Sequence, residues 1–257
     1  MPLSPDVVRS LLRRKGRREH GLFLIEGPSL LEEALNSRLA ILEVRATAEA
    51  ADAAAPLIRR AENGGAELIE VSTRALDRLS DLDSPPGIVA VARMQSRPLA
   101  ELLEAPGLVL LLAGVSDPGN AGTLVRTAEA FGAAAIVFGE GGVDPYNPKV
   151  VRAAMGSLFR LPHGVAAAAD LITGASRLAR PVVAADRGGT PLPEFTFPPN
   201  PVVAIGSERG GVGAWLPSWD ASVAVPHAGP TESLNAGIAG AIILYEWSFS
   251  PRFRPKI

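Results

Sequence analysis

Short apolar runs alternate along the chain with longer segments in which apolar residues recur at helical spacing. In the first third of the chain, runs typical of strands are separated by segments whose period indicates helices. The predicted strands cover 22–26, 42–46, 67–71 and 87–93, and the predicted helices cover 28–37, 50–62 and 72–79. The segment 96–106 follows. It contains Pro98 and Pro106, and we expect it to be a linker with some helix.

From residue 107 onward the apolar runs are more continuous, and the run 108–115 is typical of a strand buried on both faces. The predicted strands cover 108–115, 134–139, 181–185, 202–206 and 222–225, and the predicted helices cover 121–131 and 233–247. Strands that alternate with helices in this way predict an α/β fold with a mostly parallel sheet. We therefore expect two domains, 1–95 and 107–257, joined by the linker.

Composition narrows the possible chemistry. The chain has 257 residues, 3 histidines and no cysteine, which excludes disulfides, thiol nucleophiles and cysteine-ligated metals. The histidines lack the spacing of metal ligands, so we expect no metal site. The longest apolar runs have about ten residues, whereas crossing a bilayer takes roughly 20. Because no signal peptide is apparent either, we expect a cytoplasmic protein without a membrane segment.

The net charge of −2 at pH 7 argues mildly against binding to bulk nucleic acid, which usually requires a basic surface. The arrangement of charge qualifies this, since six basic residues lie between positions 9 and 18. Such a cluster is either a solvated helix end or an arm that contacts phosphates. The residues predicted to bind RNA in the second case are Arg13, Arg14, Lys15, Arg17 and Arg18.

Three predicted strands of the second domain each end in a polar, glycine-rich loop, at 117–122, 206–211 and 226–235. In open α/β sheets, ligands bind outside the carboxyl ends of the strands, and glycine allows backbone to approach a ligand closely. Any single loop could be an ordinary turn, but three together favour a binding site. The chain contains no P-loop and no GxGxxG pattern, so a conventional nucleotide site is not supported.

In order and spacing, these loops resemble the three motifs of the SpoU/TrmH family of RNA ribose 2′-O-methyltransferases, which belongs to the knotted SPOUT superfamily. The first motif is matched at 117–128, the second at 205–211 and the third at 225–235. Residues 14–18 and 22–27 resemble part of the small, ribosomal-protein-like α/β domain that binds substrate in many of these enzymes. With both parts included, the resemblance covers nearly the whole chain.

The resemblance implies S-adenosyl-L-methionine as cofactor, a trefoil knot, a homodimer and an RNA substrate, which we expect to be 23S ribosomal RNA. The implied catalytic residues are Asn120, Arg126, Glu208, Ser233 and Asn235, and the implied cofactor-binding residues are Gly206, Val225 and Leu234. The chain departs from the family pattern at His227, where methionine is usual, and at Gly237, within a stretch that often reads Val-Ser-Val-Ala. Transfer RNA as substrate, or a non-catalytic RNA-binding assembly factor on the same fold, are the alternatives.

Residue chemistry suggests roles for some of these side chains. Asn120 and Ser233 lie near the starts of predicted helices, so each could cap its helix. Arg126 remains protonated in proteins, so we expect it to grip an RNA phosphate and stabilise developing alkoxide charge instead of acting as a base. Glu208 is expected to accept hydrogen bonds from Arg126 or from the RNA.

Overall fold

The computed structural model describes residues 2–80, 82–229 and 233–250. Residues 230–232 of the third loop, and the end of the predicted second domain at 251–257, therefore lie outside the described part. The strands are β1 (Leu22–Glu26), β2 (Ile41–Ala46), β3 (Glu67–Glu70), β4 (Ile88–Arg93), β5 (Val109–Ala113), β6 (Ala135–Gly139), β7 (His163–Ala166), β8 (Val182–Pro191), β9 (Val202–Gly206) and β10 (Ala221–Ala224).

The helices, like the strands, are numbered in chain order. They are α1 (Pro5–Ser10), α2 (Arg14–His20), α3 (Pro28–Asn36), α4 (Ala48–Ala53), α5 (Ala55–Asn63), α6 (Thr73–Asp77), α7 (Leu99–Glu104), α8 (Pro118–Ala130), α9 (Pro148–Ala153), α10 (Ser157–Arg160), α11 (Ala168–Arg177) and α12 (Ala236–Ser248), with a short 3-10 helix at Leu192–Glu194. The predicted helix 50–62 is two helices, because Pro56 begins a new one in the first turn of α5.

The chain forms two compact units, one of Met1–Gln95 with Tyr146–Phe159 and one of Ser96–Pro145 with Arg160–Ile257. The segment Tyr146–Phe159 was not part of the predicted first domain. It joins the first unit because the Tyr146 ring packs 4.7 Å from that of Phe23 and Arg152 lies 2.7 Å from the buried carboxylate of Glu26.

The sheet of the first unit has the order β1-β4-β2-β3. Strand β4 is antiparallel to both of its neighbours, and β3 runs parallel to β2. All five residues of β1 are buried. The apolar run 22–25 predicts this for four of them, and the fifth, Glu26, is paired with Arg152. A core cluster forms where β1 and β4 pack against Val8 and Leu11 at the start of the chain.

The sheet of the second unit has the order β10-β8-β9-β5-β6-β7, and every pair of neighbours in it is parallel. The predicted α/β fold with a mostly parallel sheet is therefore confirmed. The predicted linker 96–106 contains α7, whose Leu102 and Leu103 are buried in the core of this unit. Among the described residues, no helix is both long and apolar enough to cross a membrane.

Strand β7 has no counterpart in the prediction. It is a four-residue edge strand whose sequence begins with His163 and Gly164, so no apolar run marks it. His163 is buried against the sheet, where its ring lies edge-on to Phe138 with centroids 6.4 Å apart. Loss of solvation on burial lowers the pKa of His163 below its ordinary value.

Helices α8 and α12 pack against each other over β9. The contact is close at Gly240, where an added Cβ would meet the side chains of Leu124 and Ile205. Ile238, Ile242 and Tyr245 follow one side of α12 and are exposed. The face that packs is formed instead by Ala236, Gly237, Gly240, Ile243, Leu244, Trp247 and Ser248.

Candidate active site

The carboxyl ends of β8, β9 and β10 lie at one edge of the parallel sheet, since these three strands are neighbours in the order β10-β8-β9. A cavity of about 340 Å³ opens there. Its described lining includes the three predicted cofactor residues, Gly206, Val225 and Leu234. Two of the predicted catalytic residues, Glu208 and Ser233, also line it.

The loop after β9 turns back on itself within five residues. Gly211 N donates to Ser207 O at 2.9 Å, and Gly210 N donates to the Ser207 hydroxyl at 3.2 Å. A Cβ on Gly206 would collide with backbone atoms of Gly211 and Val212. Glycine is therefore required at 206 for the loop to fold over the end of its own strand.

Asn120 links the first motif to the second. Its side chain is buried to 8% exposure, and its amide nitrogen Nδ2 donates to Oε1 of the exposed Glu208. The expected capping role of Asn120 is wrong, because Asp117 caps α8 by accepting from Asn120 N at 2.7 Å. With the backbone held by Asp117, the Asn120 side chain is free to orient Glu208.

The third motif meets the first at the start of α12. Here Asn235 is the cap, since its Oδ1 accepts from Gly237 N at 2.9 Å and from Ile238 N at 3.2 Å. Ser233, the residue expected to cap this helix, lies exposed at the cavity instead. A Cβ on Gly237 would lie 3.2 Å from Oδ1 of Asn235 and 3.3 Å from Oδ1 of Asn120. Glycine at 237 thus leaves room for the two asparagine amides to converge.

Arg126 is exposed on α8, two turns along from the capped start of that helix. Its side chain makes no hydrogen bond and no ion pair with the residues that the structure describes. The expected hydrogen bond from Arg126 to Glu208 is therefore not formed, and Asn120 takes that place. The guanidinium is left facing solvent with a permanent positive charge. His227, also exposed at the cavity, has its Nδ1 3.2 Å from Val225 O of its own loop.

The basic cluster lies in the first unit, across α1 and α2. Arg13, Lys15 and Arg18 are exposed and Arg14 is half-buried. Arg17 requires a correction, because it is only 2% exposed. Its Nη1 donates to Leu11 O at 2.8 Å and to Leu12 O at 2.9 Å, so the guanidinium satisfies carbonyls at the end of α1 and is not available to phosphate.

Two charged cavity residues, Asp186 and Arg187, were missed in the sequence. They follow the predicted strand 181–185 and precede Gly188 and Gly189. The rule that identified the other three loops, a polar glycine-rich stretch after a buried strand, would have found them. In the described part of the chain, no group of three or more histidine, aspartate or glutamate side chains could hold a metal ion.

The loops after β9 and β10 line the cavity at the edge of the parallel sheet, and the loop that begins α8 is joined to them through Asn120 and Glu208. This arrangement fits an α/β enzyme of the methyltransferase class that the sequence motifs implied. Comparison with known proteins identifies the family. Residues 107–245 match the SpoU rRNA Methylase family and residues 7–90 match the MRM3-like substrate binding domain. The chain belongs to the SpoU rRNA Methylase family.

Relatives of known name support this assignment. The 23S rRNA (guanosine(2553)-2′-O)-methyltransferase RlmP of Bacillus subtilis is 33% identical over 241 residues, covering 92% of each chain. The 23S rRNA (uridine(2479)-2′-O)-methyltransferase of Streptomyces viridochromogenes is 32% identical over 173 residues, which is 64% of this chain and 60% of the relative.

Solved structures agree over almost the full length. The SpoU methyltransferase AviRb from Streptomyces viridochromogenes, in complex with AdoMet, superposes with a TM-score of 0.86 at 28% identity and covers 96% of this chain and 97% of its own. An AdoMet-bound rRNA methyltransferase from Sinorhizobium meliloti superposes with a TM-score of 0.84 at 28% identity, over 95% of this chain and 93% of its own. The predicted family and fold class are confirmed.

Proposed function

We propose that this protein transfers a methyl group from S-adenosylmethionine to a ribose 2′-hydroxyl of 23S ribosomal RNA, in the cytoplasm where that RNA resides. The observation that carries the proposal is the contact between Asn120 and Glu208, which joins two motifs distant in sequence beside a cavity of ligand size. Two relatives that act on 23S RNA, one matched over 92% of both chains, support the choice of substrate.

The cavity fits the methyl donor. Its volume of about 340 Å³ lies within the range of roughly 300 to 1,000 Å³ typical of small-molecule sites. Ile205, Val223 and Ile243 give it an apolar wall suited to an adenine ring. The missing Cβ at Gly206 leaves backbone close to whatever binds there. When bound, S-adenosylmethionine supplies an activated methyl group on its sulfonium.

The chain must then position the hydroxyl and stabilise the charge that develops on its oxygen. Arg126 binds the phosphate next to the target ribose and stabilises that oxygen, since a guanidinium cannot accept the proton. The proton passes to the phosphate or to a water. Glu208, held by Asn120, offers carboxylate oxygens that orient the RNA or the Arg126 side chain once RNA is bound.

In this proposal the first unit serves as the RNA-recruiting domain, and the second unit forms the methyltransferase domain. Four exposed or half-buried basic residues of the cluster would contact phosphates. These are Arg13, Arg14, Lys15 and Arg18. The buried Arg17 supports their helices from within.

We also propose that the protein acts as a homodimer. Four exposed apolar side chains follow one stripe of α12 at helical spacing: Ile238 (54% exposed), Ile242 (37%), Tyr245 (51%) and Phe249 (60%). Phe131 at the end of α8 extends the stripe, since its ring lies 5.6 Å from that of Tyr245. A contiguous apolar patch of this kind marks a protein interface.

The enzymatic proposal is tested by transfer of labelled methyl groups from S-adenosylmethionine to transcribed 23S RNA, followed by mapping of the modified ribose. We expect Arg126→Ala to lower the rate by more than about 100-fold, the loss typical when one electrostatic contact to the transition state is removed. Arg177→Ala changes a comparably exposed arginine on α11 and should retain full activity.

A modified RNA substrate provides a further control. A 2′-deoxynucleotide at the mapped position must abolish transfer, because the acceptor oxygen is then missing. Full activity of Arg126→Ala would refute the assigned role of this residue. Methylation of transfer RNA in preference to 23S RNA would correct the substrate, and binding of RNA without any methyl transfer would identify an assembly factor.

A further inference from the structure

Strand β8 leaves the sheet and rejoins it at the edge where the cavity lies. Ala184 pairs with Ser222 of β10, and the next pair along β10 joins Val223 to Thr190. Residues 185–189 therefore bulge out of the ladder between β8 and β10. Bulges change the direction in which side chains point and are frequent beside active sites.

Two contacts hold the bulge, one within it and one at its end. Within it, the Asp186 carboxylate accepts from Gly188 N at 2.8 Å. Where the strand returns, a Cβ on Gly189 would lie 2.6 Å from the carbonyl carbon of Ser222 and 2.7 Å from Val223 N. These are backbone atoms that cannot rotate away, so the close approach requires glycine. The backbone that carries Asp186 and Arg187 is thereby held in place.

Ala185, Asp186 and Arg187 line the same cavity as Gly206, Val225 and Leu234. Ile205, Val223 and Ile243 form an apolar part of its wall. Its other charged lining residues, Glu208 and Arg209, come from the loop after β9, and Glu208 is already bonded to Asn120. The bulge thus brings a carboxylate and a guanidinium, neighbours in the chain, to the lining of this cavity.

We infer that Asp186 and Arg187 bind the amino-acid end of the methyl donor, Asp186 its α-ammonium group and Arg187 its α-carboxylate. This inference rests on the proposed function. The adenosine end of the donor carries no charge and suits the apolar wall, whereas the amino-acid end is a zwitterion whose two charges match those of the bulge. Hydrogen bonds between ionised groups are about twice as strong as neutral ones, so this pair selects ligands that carry the amino acid.

Calorimetry with two ligands tests the inference without any methyl transfer. S-adenosylhomocysteine carries the amino acid, and 5′-methylthioadenosine lacks it. We expect Asp186→Asn and Arg187→Gln each to weaken the binding of S-adenosylhomocysteine by about tenfold, the effect of one lost charged hydrogen bond. The binding of 5′-methylthioadenosine should stay as in the wild type. Asp186→Asn retains an acceptor oxygen for Gly188 N, so the bulge should persist.

Arg177→Gln, at an exposed position outside the cavity lining, is the matched control and should bind both ligands as the wild type does. Unchanged affinity of the two variants for S-adenosylhomocysteine would overturn the inference. Equal weakening of both ligands would also overturn it, because the bulge would then only shape the cavity. Wild-type protein that binds S-adenosylhomocysteine but methylates no RNA would contradict the proposed function alone, and wild-type protein that binds neither ligand would contradict both.

Discussion

Arg17 and Arg18 are neighbours in the chain and identical in type, yet their surroundings assign them different roles. The Arg17 guanidinium is enclosed and donates to two carbonyls at the end of α1. Arg18 projects into solvent from α2. Gly16, just before them, has no room for a Cβ because the Ser10 backbone lies against it. The basic cluster is therefore partly a packed junction between α1 and α2 and partly an exposed basic surface.

This difference predicts opposite phenotypes for two matched variants. Arg17→Ala should lower the free energy of unfolding by about 1.5 to 3 kcal/mol, because buried carbonyls lose a charged donor. Arg18→Ala should change that free energy by less than about 0.5 kcal/mol but reduce the salt slope of RNA binding by about one unit. Urea denaturation and RNA titrations at several salt concentrations measure the two effects. If Arg17→Ala instead left the protein as stable as the wild type and reduced the salt slope of RNA binding, Arg17 would be a phosphate contact after all.

At the scale of elements, the start of the loop between β9 and β10 requires glycine at position 206. We expect Gly206→Ala to weaken the binding of S-adenosylhomocysteine by at least about tenfold, since the added Cβ meets backbone atoms of Gly211 and Val212 that cannot move aside. Gly213→Ala is the control in the same connection, because a Cβ there meets only the Trp219 ring at 3.7 Å. Calorimetry compares the two. Equal affinity of both variants would show that the loop adapts to a side chain at 206.

The elements that the sequence predicts best are those whose identity depends on local pattern. Strands β1 and β9 match the predicted 22–26 and 202–206 to the residue, because a short apolar run bounded by glycine, proline or polar residues is a clear strand signal. Edge strand β7 lacks such a run and was missed. The side of α12 that packs depends on where α8 crosses it, so periodicity alone could not show that Ile238, Ile242 and Tyr245 are exposed.

The candidate active site, too, could be predicted from the sequence only in part. Each of its three motifs is a continuous stretch of sequence, so the family resemblance could name Asn120, Glu208 and Asn235. The structure brings these three residues together in one region of the fold. Which side chain bonds to which is a tertiary property. The pairing of Asn120 with Glu208 and the capping of α12 by Asn235 both differ from the roles expected from local chemistry. The bulge that presents Arg187 exists only through the register of β8 against β10.

For the whole molecule, the exposed stripe on α12 has the clearest consequence. An isolated chain would leave four large apolar side chains in water, and pairing two stripes would remove them from it. A closed two-fold pairing uses the same patch on both subunits, and a single helix face with the neighbouring Phe131 can supply such a patch. We therefore expect the wild type to sediment with twice the mass of the 26.7 kDa chain.

Ile242→Glu places a charge in the middle of the stripe and should convert the dimer to a 26.7 kDa monomer, because burying an unpaired carboxylate at an interface is strongly unfavourable. Val165→Glu is the control, since it replaces an equally apolar exposed side chain on the edge strand β7 and should leave the dimer intact. Analytical ultracentrifugation across a range of concentrations distinguishes the species. A monomeric wild type, or an Ile242→Glu variant that remains dimeric, would show that α12 does not form a dimer interface. Loss of methyl transfer in the folded monomer would show that the active site needs both subunits.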